Sequence, residues 1–291
     1  MEIPTLTTSG PSAVVPPLAV IIPANNEAAY IGPCLAALLA QDAVAGPLVV
    51  VVAANACTDA TVAIAQGFQA RMVARGWQLI CDDSTVPGKI GALNRGDALV
   101  GDGVPRVYLD ADVICDPGLI GQLRLVLDRP QATYATGTLA VARARSAVTR
   151  AYADLWTRLP FVQGGAVGAG LFAVNGAGRA RWGVFPDIIS DDTFVRLHFA
   201  PSERHEVAAR YHWPMVEGWR NLVRVRRRQD AGVAQVYALY PDLRANEDKA
   251  PVGRGAVLRL ALVAPLGFMV YAAVRLAVRL RRAEAGWSRG R

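Results

Sequence analysis

Residues 18–27 read LAVIIPANNE: an unbroken apolar run, Leu18–Ile22, then Pro23, then the polar cluster Asn25-Asn26-Glu27. β-Branched residues without a polar partner mark a strand buried on both faces, and Pro23 is read as its end. Helical spacing follows at Ile31, Cys34, Leu35, Leu38 and Leu39. The same alternation recurs three times. Leu48–Val52 is a second apolar strand, with Thr58-Asp59 as a cap opening a helix through Val62, Ala65 and Met72. Trp77–Cys81 precedes a helix from Lys89 to Leu99, and Val107–Leu109 precedes one after Pro117. Apolar strands alternating with amphipathic helices predict an α/β fold, a doubly wound and mostly parallel sheet with helices on both faces.

Beyond residue 130 the pattern changes. Thr133–Val141 alternates like a strand exposed on one side, and helical segments are expected at 146–158 and 192–199. The Gly-rich stretch Gly164–Gly178 lies between them. Leu260–Val274 carries no charge and is bracketed by Arg259 and Arg275.

Composition sets bounds. The 291 residues suffice for one large domain or two small ones, and 53% are hydrophobic, above the usual globular share. The net charge of +7 is unevenly distributed. Arg220, Arg224, Arg226, Arg227 and Arg228 form one cluster. From Arg254 onward, eight arginines, among them Arg279, Arg281, Arg282, Arg289 and Arg291, face the single acid Glu284. Such clusters suit phosphates and anionic lipid. No aromatic-studded basic groove accompanies them, so nucleic acid is not an expected partner. The four cysteines form no CxxC pair, and reduced thiols are expected. Residues 1–17 have neither a basic nor a long apolar region and are read as a disordered lead-in.

Each of the four strands ends in polar residues: Asn25-Asn26-Glu27, Asn55 to Asp59, Asp82-Asp83-Ser84, and Asp110-Ala111-Asp112. One such cluster is ordinary turn chemistry. Four along the carboxyl rim of one sheet point to a polar ligand there. If the backbone stays extended, Asp110 and Asp112 aim the same way. With diphosphate oxygens they make a hard oxygen site for Mg²⁺ or Mn²⁺, although the pair alone equally describes two solvated turn acids. Ser190-Asp191-Asp192 is an N-terminal helix signature, and two adjacent carboxylates facing such a site raise one pKa toward that of a general base.

VIIPANNEAAYIGPCLAALL, VVVVAANACTDAT, PGKIGALNRGDA, VYLDADV and FPDIISDDTFVRLHF, in that order, resemble family 2 glycosyltransferases of the GT-A fold. The AANACTDAT form, the PGK loop and FPDIISDD look most like a bacterial subgroup that includes exopolysaccharide enzymes. The resemblance covers about residues 18–230 and implies a metal-dependent, inverting transfer of a sugar from a nucleoside diphosphate to an acceptor hydroxyl. It implies that Pro23, Ala24 and Glu27 border the nucleoside, with Glu27 accepting from ribose hydroxyls. Asn55 stands where the family often has the Asp that reads the base edge; an amide both donates and accepts, so the base stays open. Lys89 is expected near the diphosphate, with Asn94 one turn further on, and Asp110 and Asp112 on the metal. Asp192 matches the base, and Asp191 the acid before it, where the family usually has Glu. Arg228-Gln229 fits the place of a Gln/Arg-x-x-Arg-Trp motif with Gln in place of Trp, so Arg224 or Arg228 is expected over the leaving group, unless this is a solvated basic face. Gly168-Ala169-Gly170 and Asn175-Gly176 are read as an acceptor floor or as plain turns, and His198, His205 and His212 as structural.

The expected organisation is a catalytic domain over 18–245, with a nucleotide-binding half (18–130) and an acceptor half (131–245), and a membrane-associating segment over 246–291. Leu260–Val274 is short for a span of about 20 residues, and arginines flank it. Arg275, Arg279 and Arg282 share a helix face. A helix in the inner leaflet on the cytoplasmic face of the cell membrane is therefore expected, held by anionic lipid, with a buried core helix as the alternative. The acceptor is expected to be a sugar or a lipid-linked sugar. A nucleotidyltransferase would also use metal and nucleotide on such a sheet, but PANNE occupies the place of its Gly-rich loop. A catalytically inactive sugar-nucleotide-binding scaffold would not need the DAD and SDD acids.

Overall fold

The computed structural model describes residues 16–249 and 252–280. Most of the lead-in, and Arg281, Arg282, Arg289 and Arg291 of the tail, lie outside the described residues.

The first half follows the predicted alternation. It runs β1 (Leu18–Ala24), α1 (Ile31–Leu39), β2 (Leu48–Asn55), α2 (Thr61–Gln66), α3 (Gln69–Ala74), β3 (Gln78–Ser84), α4 (Lys89–Ala98), β4 (Arg106–Leu109), β5 (Ile114–Cys115) and α5 (Leu119–Leu127). The helix expected from Thr58 through Met72 is two helices, α2 and α3. β1 pairs in parallel with β2 from Leu18↔Leu48 to Ala24↔Ala54 and with β4 from Ala19↔Arg106 to Ile21↔Tyr108. Pro23 does not end β1. The β4 ladder stops at Ile21, so beyond it β1 has a neighbour on one side only, where a residue without an N–H is tolerated.

The second half contains β6 (Tyr134–Val141), α6 (Ala147–Trp156), α7 (Pro160–Gln163), β7 (Leu171–Val174), α8 (Gly176–Arg179), α9 (Asp191–Leu197), β8 (Arg204–Trp213), α10 (Trp219–Leu239), α11 (Arg254–Val263) and α12 (Pro265–Leu280). The single sheet has the order β3-β2-β1-β4-β7-β6-β8-β5. β7 runs antiparallel to β4 and to β6, whereas β6 and β8 are parallel. The sheet is therefore parallel through β4 and mixed beyond it.

Apolar residues pack on both faces. Val20, Ile22, Leu35 and Leu123 belong to one core, while Ile21, Val51, Leu93, Phe172 and Phe194 belong to the other. Gly96 brings α4 against β1 so closely that a Cβ there would lie 2.5 Å from Ile21 Cγ2. A third core joins α6, α10 and α12 through Tyr152, Trp156, Leu222, Val223 and Val274.

The C-terminal segment departs from expectation in three ways. Pro265 starts a new helix, so Leu260–Val274 is shared between α11 and α12 instead of forming one rod. The inner face of α12 is core: Val274 is fully buried, and a Cβ on Gly267 would lie 2.7 Å from Ala151 O. Arg275 turns inward to Asp230 at 2.9 Å, so it does not share an open basic face with Arg279. The outer face stays apolar and open, with Leu258 63% and Leu262 74% exposed. Among the described residues, no helix is long and apolar enough to cross a membrane. Just past the boundary expected after residue 245, Glu247 and Asp248 pair with Arg196 of α9.

Candidate active site

The carboxyl rim of the parallel strands is a web of side-chain struts. Asn26 adopts φ +54°, a left-handed conformation that Asn tolerates, and its Oδ1 accepts from Thr58 N at 2.6 Å and Asp59 N at 3.2 Å. Asp59 Oδ1 caps the next turn by accepting from Thr61 N at 3.0 Å. Asn55 is buried. It donates to Ala24 O at 2.8 Å and accepts from Gly88 N at 3.0 Å, joining the ends of β1 and β2 to the loop before α4. An amide so engaged braces the rim. Ala24 is likewise fully buried and contributes its carbonyl.

That loop sets the central cation. Gly88 has φ +123°, which only glycine adopts readily, and Lys89 follows as the first residue of α4. Lys89 Nζ lies 2.9 Å from Asp110 Oδ1 and 3.1 Å from Asp191 Oδ2. Burial alone would lower the Lys89 pKa, but the two carboxylates outweigh it and hold the ammonium well above its ordinary range. Burial raises the Asp191 carboxyl, opposed by Lys89 and reinforced by Asp192. The ammonium thus links the end of β4 to the start of α9, two segments about 80 residues apart in the chain.

Asp110 and Asp112 both line the cleft, although not for the reason first expected. The backbone turns immediately after β4, with Val113 N donating to Asp110 O at 3.1 Å, so the pair is not extended. Asp110 N is held by Gly170 O at 2.9 Å. Gly170 has φ +74°, and a Cβ there would lie 2.6 Å from Trp213 Cδ1, so glycine is what lets Trp213 reach the floor.

Asp191 and Asp192 occupy the first turn of α9 but differ in setting. Asp191 is buried against Lys89, whereas Asp192 is half-buried and accepts from Thr193 N at 2.7 Å. The loop ahead of them is clamped from both sides. Asn94 of α4 exchanges two hydrogen bonds with the Phe185 backbone, at 2.7 and 3.0 Å, and Gln235 of α10 accepts from Ile189 N at 3.0 Å. A Cβ on Gly232 would lie 2.4 Å from Ser190 Oγ, so α10 presses directly on this loop.

One cleft gathers Pro23, Lys89, Asp110, Asp112, Asp191, Asp192 and Arg228. Ala24, Glu27 and Asn55 are not in its lining. Glu27 is half-buried at the rim, its N–H donating to Thr61 Oγ1 at 2.7 Å. Arg224 bonds Asn221 at 3.0 Å and also stays outside the cleft, leaving Arg228 as its arginine. Each of the three histidines meets a neighbour outside the cleft: His198 meets Phe194 O, His205 meets Arg129, and His212 meets Asp116. The four cysteines are free. Sequence reading missed Trp213, Phe172 and Val216 of the lining and the clamp Gln235, and it placed Gly232 only in the spacing of the Arg228-Gln229 motif, without its contact to Ser190.

The donor set fits a hard cation only in part. Among the described residues no cluster of three or more His, Cys, Asp or Glu is poised for a metal. Asp110 and Asp112 bring two carboxylates to the cleft, and Mg²⁺ commonly takes one or two carboxylates with phosphate oxygens and water completing the shell.

Comparison with known proteins follows this geometry. Residues 16–168 match the model of the family described as glycosyltransferase like family 2. A search of curated proteins found no match. Among solved structures, the mannosyltransferase PcManGT from Pyrobaculum calidifontis, in complex with GDP-Man and Mn²⁺, is similar with a TM-score of 0.55 at 21% identity, covering 94% of this chain and 80% of its own. S. aureus TarS 1-349 in complex with UDP is similar with a TM-score of 0.51 at 13% identity, over 91% and 92% of the two chains. These likenesses show a shared GT-A fold.

Proposed function

From the premise that this chain belongs to the glycosyltransferase like family 2, we propose that it transfers a sugar from a nucleoside diphosphate to an acceptor hydroxyl with inversion. The observation that carries the reading is the convergence of Lys89, Asp110, Asp112, Asp191, Asp192 and Arg228, from four separate segments, on one cleft. Asp192 takes the acceptor proton as the acceptor oxygen bonds to the anomeric carbon. The bond from that carbon to the diphosphate oxygen breaks, and the electron pair leaves with the nucleoside diphosphate. Lys89 and Arg228 face the departing charge, and water is limited by Trp213, Phe172 and Val216 around the cleft. Asp191 keeps Lys89 in place. Asp110 and Asp112 would hold Mg²⁺ or Mn²⁺, which neutralises charge on the leaving diphosphate.

The test is a panel of nucleotide sugars, with and without Mn²⁺, read by thermal shift and by donor hydrolysis. The expected result is stabilisation and hydrolysis with one nucleotide class, stimulated by metal in the native protein and not in Asp112→Ala. No response to any donor would overturn the transfer reading, and metal stimulation surviving in Asp112→Ala would overturn the metal assignment.

The same proposal places the enzyme on the cytoplasmic face of the cell membrane. Leu258, Leu262, Leu266 and Met269 are exposed on α11 and α12, helices that also carry Arg254, Arg259 and Arg279, a combination that suits an anionic leaflet. The motif resemblance supports an acceptor in cell-envelope or exopolysaccharide glycan synthesis. Leu262→Glu with Leu266→Glu should abolish co-sedimentation with anionic vesicles while leaving the melting temperature near that of the native protein. Undiminished sedimentation would rule out this surface.

A further inference from the structure

Asn94 shares α4 with Lys89, yet it is absent from the lining of the catalytic cleft. Its amide is turned to the loop before α9. Nδ2 donates to Phe185 O at 3.0 Å, and Oδ1 accepts from Phe185 N at 2.7 Å. One side chain thus meets both polar groups of one backbone residue. That takes a donor and an acceptor side by side, which an amide offers and a carboxylate does not.

The same segment is tied to α4 at two further points. Asp97, buried on α4, holds Arg179 at 2.8 Å, and Arg179 donates to Trp182 O at 2.7 Å and to Gly183 O at 2.9 Å. At the other end Lys89 meets Asp191 at 3.1 Å. The segment from Trp182 to Asp191 therefore hangs on one helix at its start, middle and end. Of the three ties, the one at Lys89 lies in the cleft and the one at Asp97 is relayed by Arg179. Asn94 alone grips the loop backbone directly from outside the cleft. Little slack separates that grip from the two acids. Pro186 follows Phe185 with a fixed φ, Ile188 is buried, and Gln235 holds Ile189 N at 3.0 Å. A shift at Phe185 is carried to the start of α9.

Resting on the transfer reading above, we propose that Asn94 is a positioning residue for the base. Acting through Phe185, it fixes the start of α9 against α4, so that Asp192 and the cation facing the donor are set by one helix. Asn94 itself touches neither donor nor acceptor.

The experiment compares full-length native protein with Asn94→Ala, Asn94→Asp, Asp192→Asn, and Asn94→Ala combined with Asp192→Asn. Turnover is read as hydrolysis of each sugar of the nucleotide-sugar panel with Mn²⁺, and binding as the thermal shift given by UDP and by GDP. Asn94→Asp keeps the shape and the acceptor for Phe185 N but cannot donate to Phe185 O, and it serves where Asn94→Ala is too unstable to assay. In both Asn94 variants kcat should fall by about 10–10²-fold, as for a reacting group misplaced by about 1 Å. KM and the nucleotide-induced shift should stay near those of the native protein. In the Asp192→Asn background, Asn94→Ala should bring no further loss, because the group it positions is already gone. An equal fractional loss in both backgrounds would show that Asn94 does not act through Asp192 and would overturn the proposal. So would a rise in KM or a loss of the nucleotide shift that matches the fall in kcat, since that describes a loosened donor site. Hydrolysis by the native protein that both Asn94 substitutions leave unchanged would overturn the positioning role alone. Absence of hydrolysis from the native protein across the panel would overturn the transfer reading, and this role with it.

Discussion

The two halves of the sheet build one cleft by different means. In β1 and β2 nearly every side chain is buried, and the parallel ladder holds Leu18 through Ala24 opposite Leu48 through Ala54 without a break. In β6 and β8 the outer ends are half-exposed, and the ladder carries an irregularity between Gly137 and Thr138. The first half is a rigid frame that ends in fixed polar struts. The second half supplies Asp191, Asp192, Trp213 and Arg228 from the start of one helix, a strand end and a long helix, held by a few side-chain clamps. The frame sets where the donor is expected to lie, and the clamped half sets whether the acceptor proton can be removed. Damage to either half should therefore have a different signature.

The largest effect is expected at Asp192. Asp192→Asn should keep nucleotide binding and lower transfer by about 10²–10⁴-fold, because an amide cannot accept the proton. Asp191→Asn should act differently. It removes a buried partner of Lys89, so it should weaken donor binding along with turnover. Thermal shift with nucleotide, read beside steady-state rates, separates the two. If Asp191→Asn alone abolishes transfer while binding is kept, the base has been assigned to the wrong carboxylate.

A pair of glycines sharpens the comparison at smaller magnitude. Gly232→Val pushes α10 against Ser190 and Ile189, the residues that precede the two acids. Transfer should fall by about 10–10²-fold with nucleotide binding retained, as expected for a misplaced catalytic group. Gly96→Val crowds Ile21 in the frame and should cost about 1–3 kcal/mol of stability, measured by urea unfolding. Equal loss of nucleotide binding in both variants would erase the distinction between frame and clamp.

That distinction also explains what the amino-acid order disclosed. β1, β2 and β4 were legible because strands buried on both faces are written as unbroken apolar runs, and their polar ends stood out by contrast. β7 was hidden because its four residues lie inside a Gly-rich stretch that reads as turn, and β8 because RHEVAARYHW carries charges along a half-exposed strand. Lys89, Asp110, Asp112 and Asp192, which share one cleft, could be named because they fall within the ordered motifs and at polar ends of strands and helices. The bracing contacts of Asn55 were not legible, because its partner Gly88 lies 33 residues away in the chain. Trp213 could not be named at all, since its place depends on the glycine at position 170 across the sheet.

The smallest predicted effect concerns pH, and it belongs to the clamped half. Glu247 sits between α9 and α10, where Arg196 Nη2 reaches its two oxygens at 2.7 and 2.9 Å and Tyr237 donates to it. Burial would raise its pKa, but the hydrogen bonds from Tyr237 and Arg196 and the arginine's charge outweigh burial and bring it down to about 2. A carboxyl whose pKa is lower folded than unfolded contributes stability that is fully present above the unfolded value, near 4.5, and is lost as pH falls toward 2. Between pH 7 and pH 3 the loss from this one group is about 2 kcal/mol. Other acids titrate over the same range, so the measurement is a difference: urea unfolding of native protein and of Glu247→Gln at pH 7, 4.5 and 3. Glu247→Gln should be the less stable at pH 7, and the gap between the two should narrow toward pH 3. A gap independent of pH would mean that Glu247 is not held ionised by Arg196, and that the segment after α10 is bound to the catalytic half through its other contacts, such as Asp248 with Arg196 and Arg204.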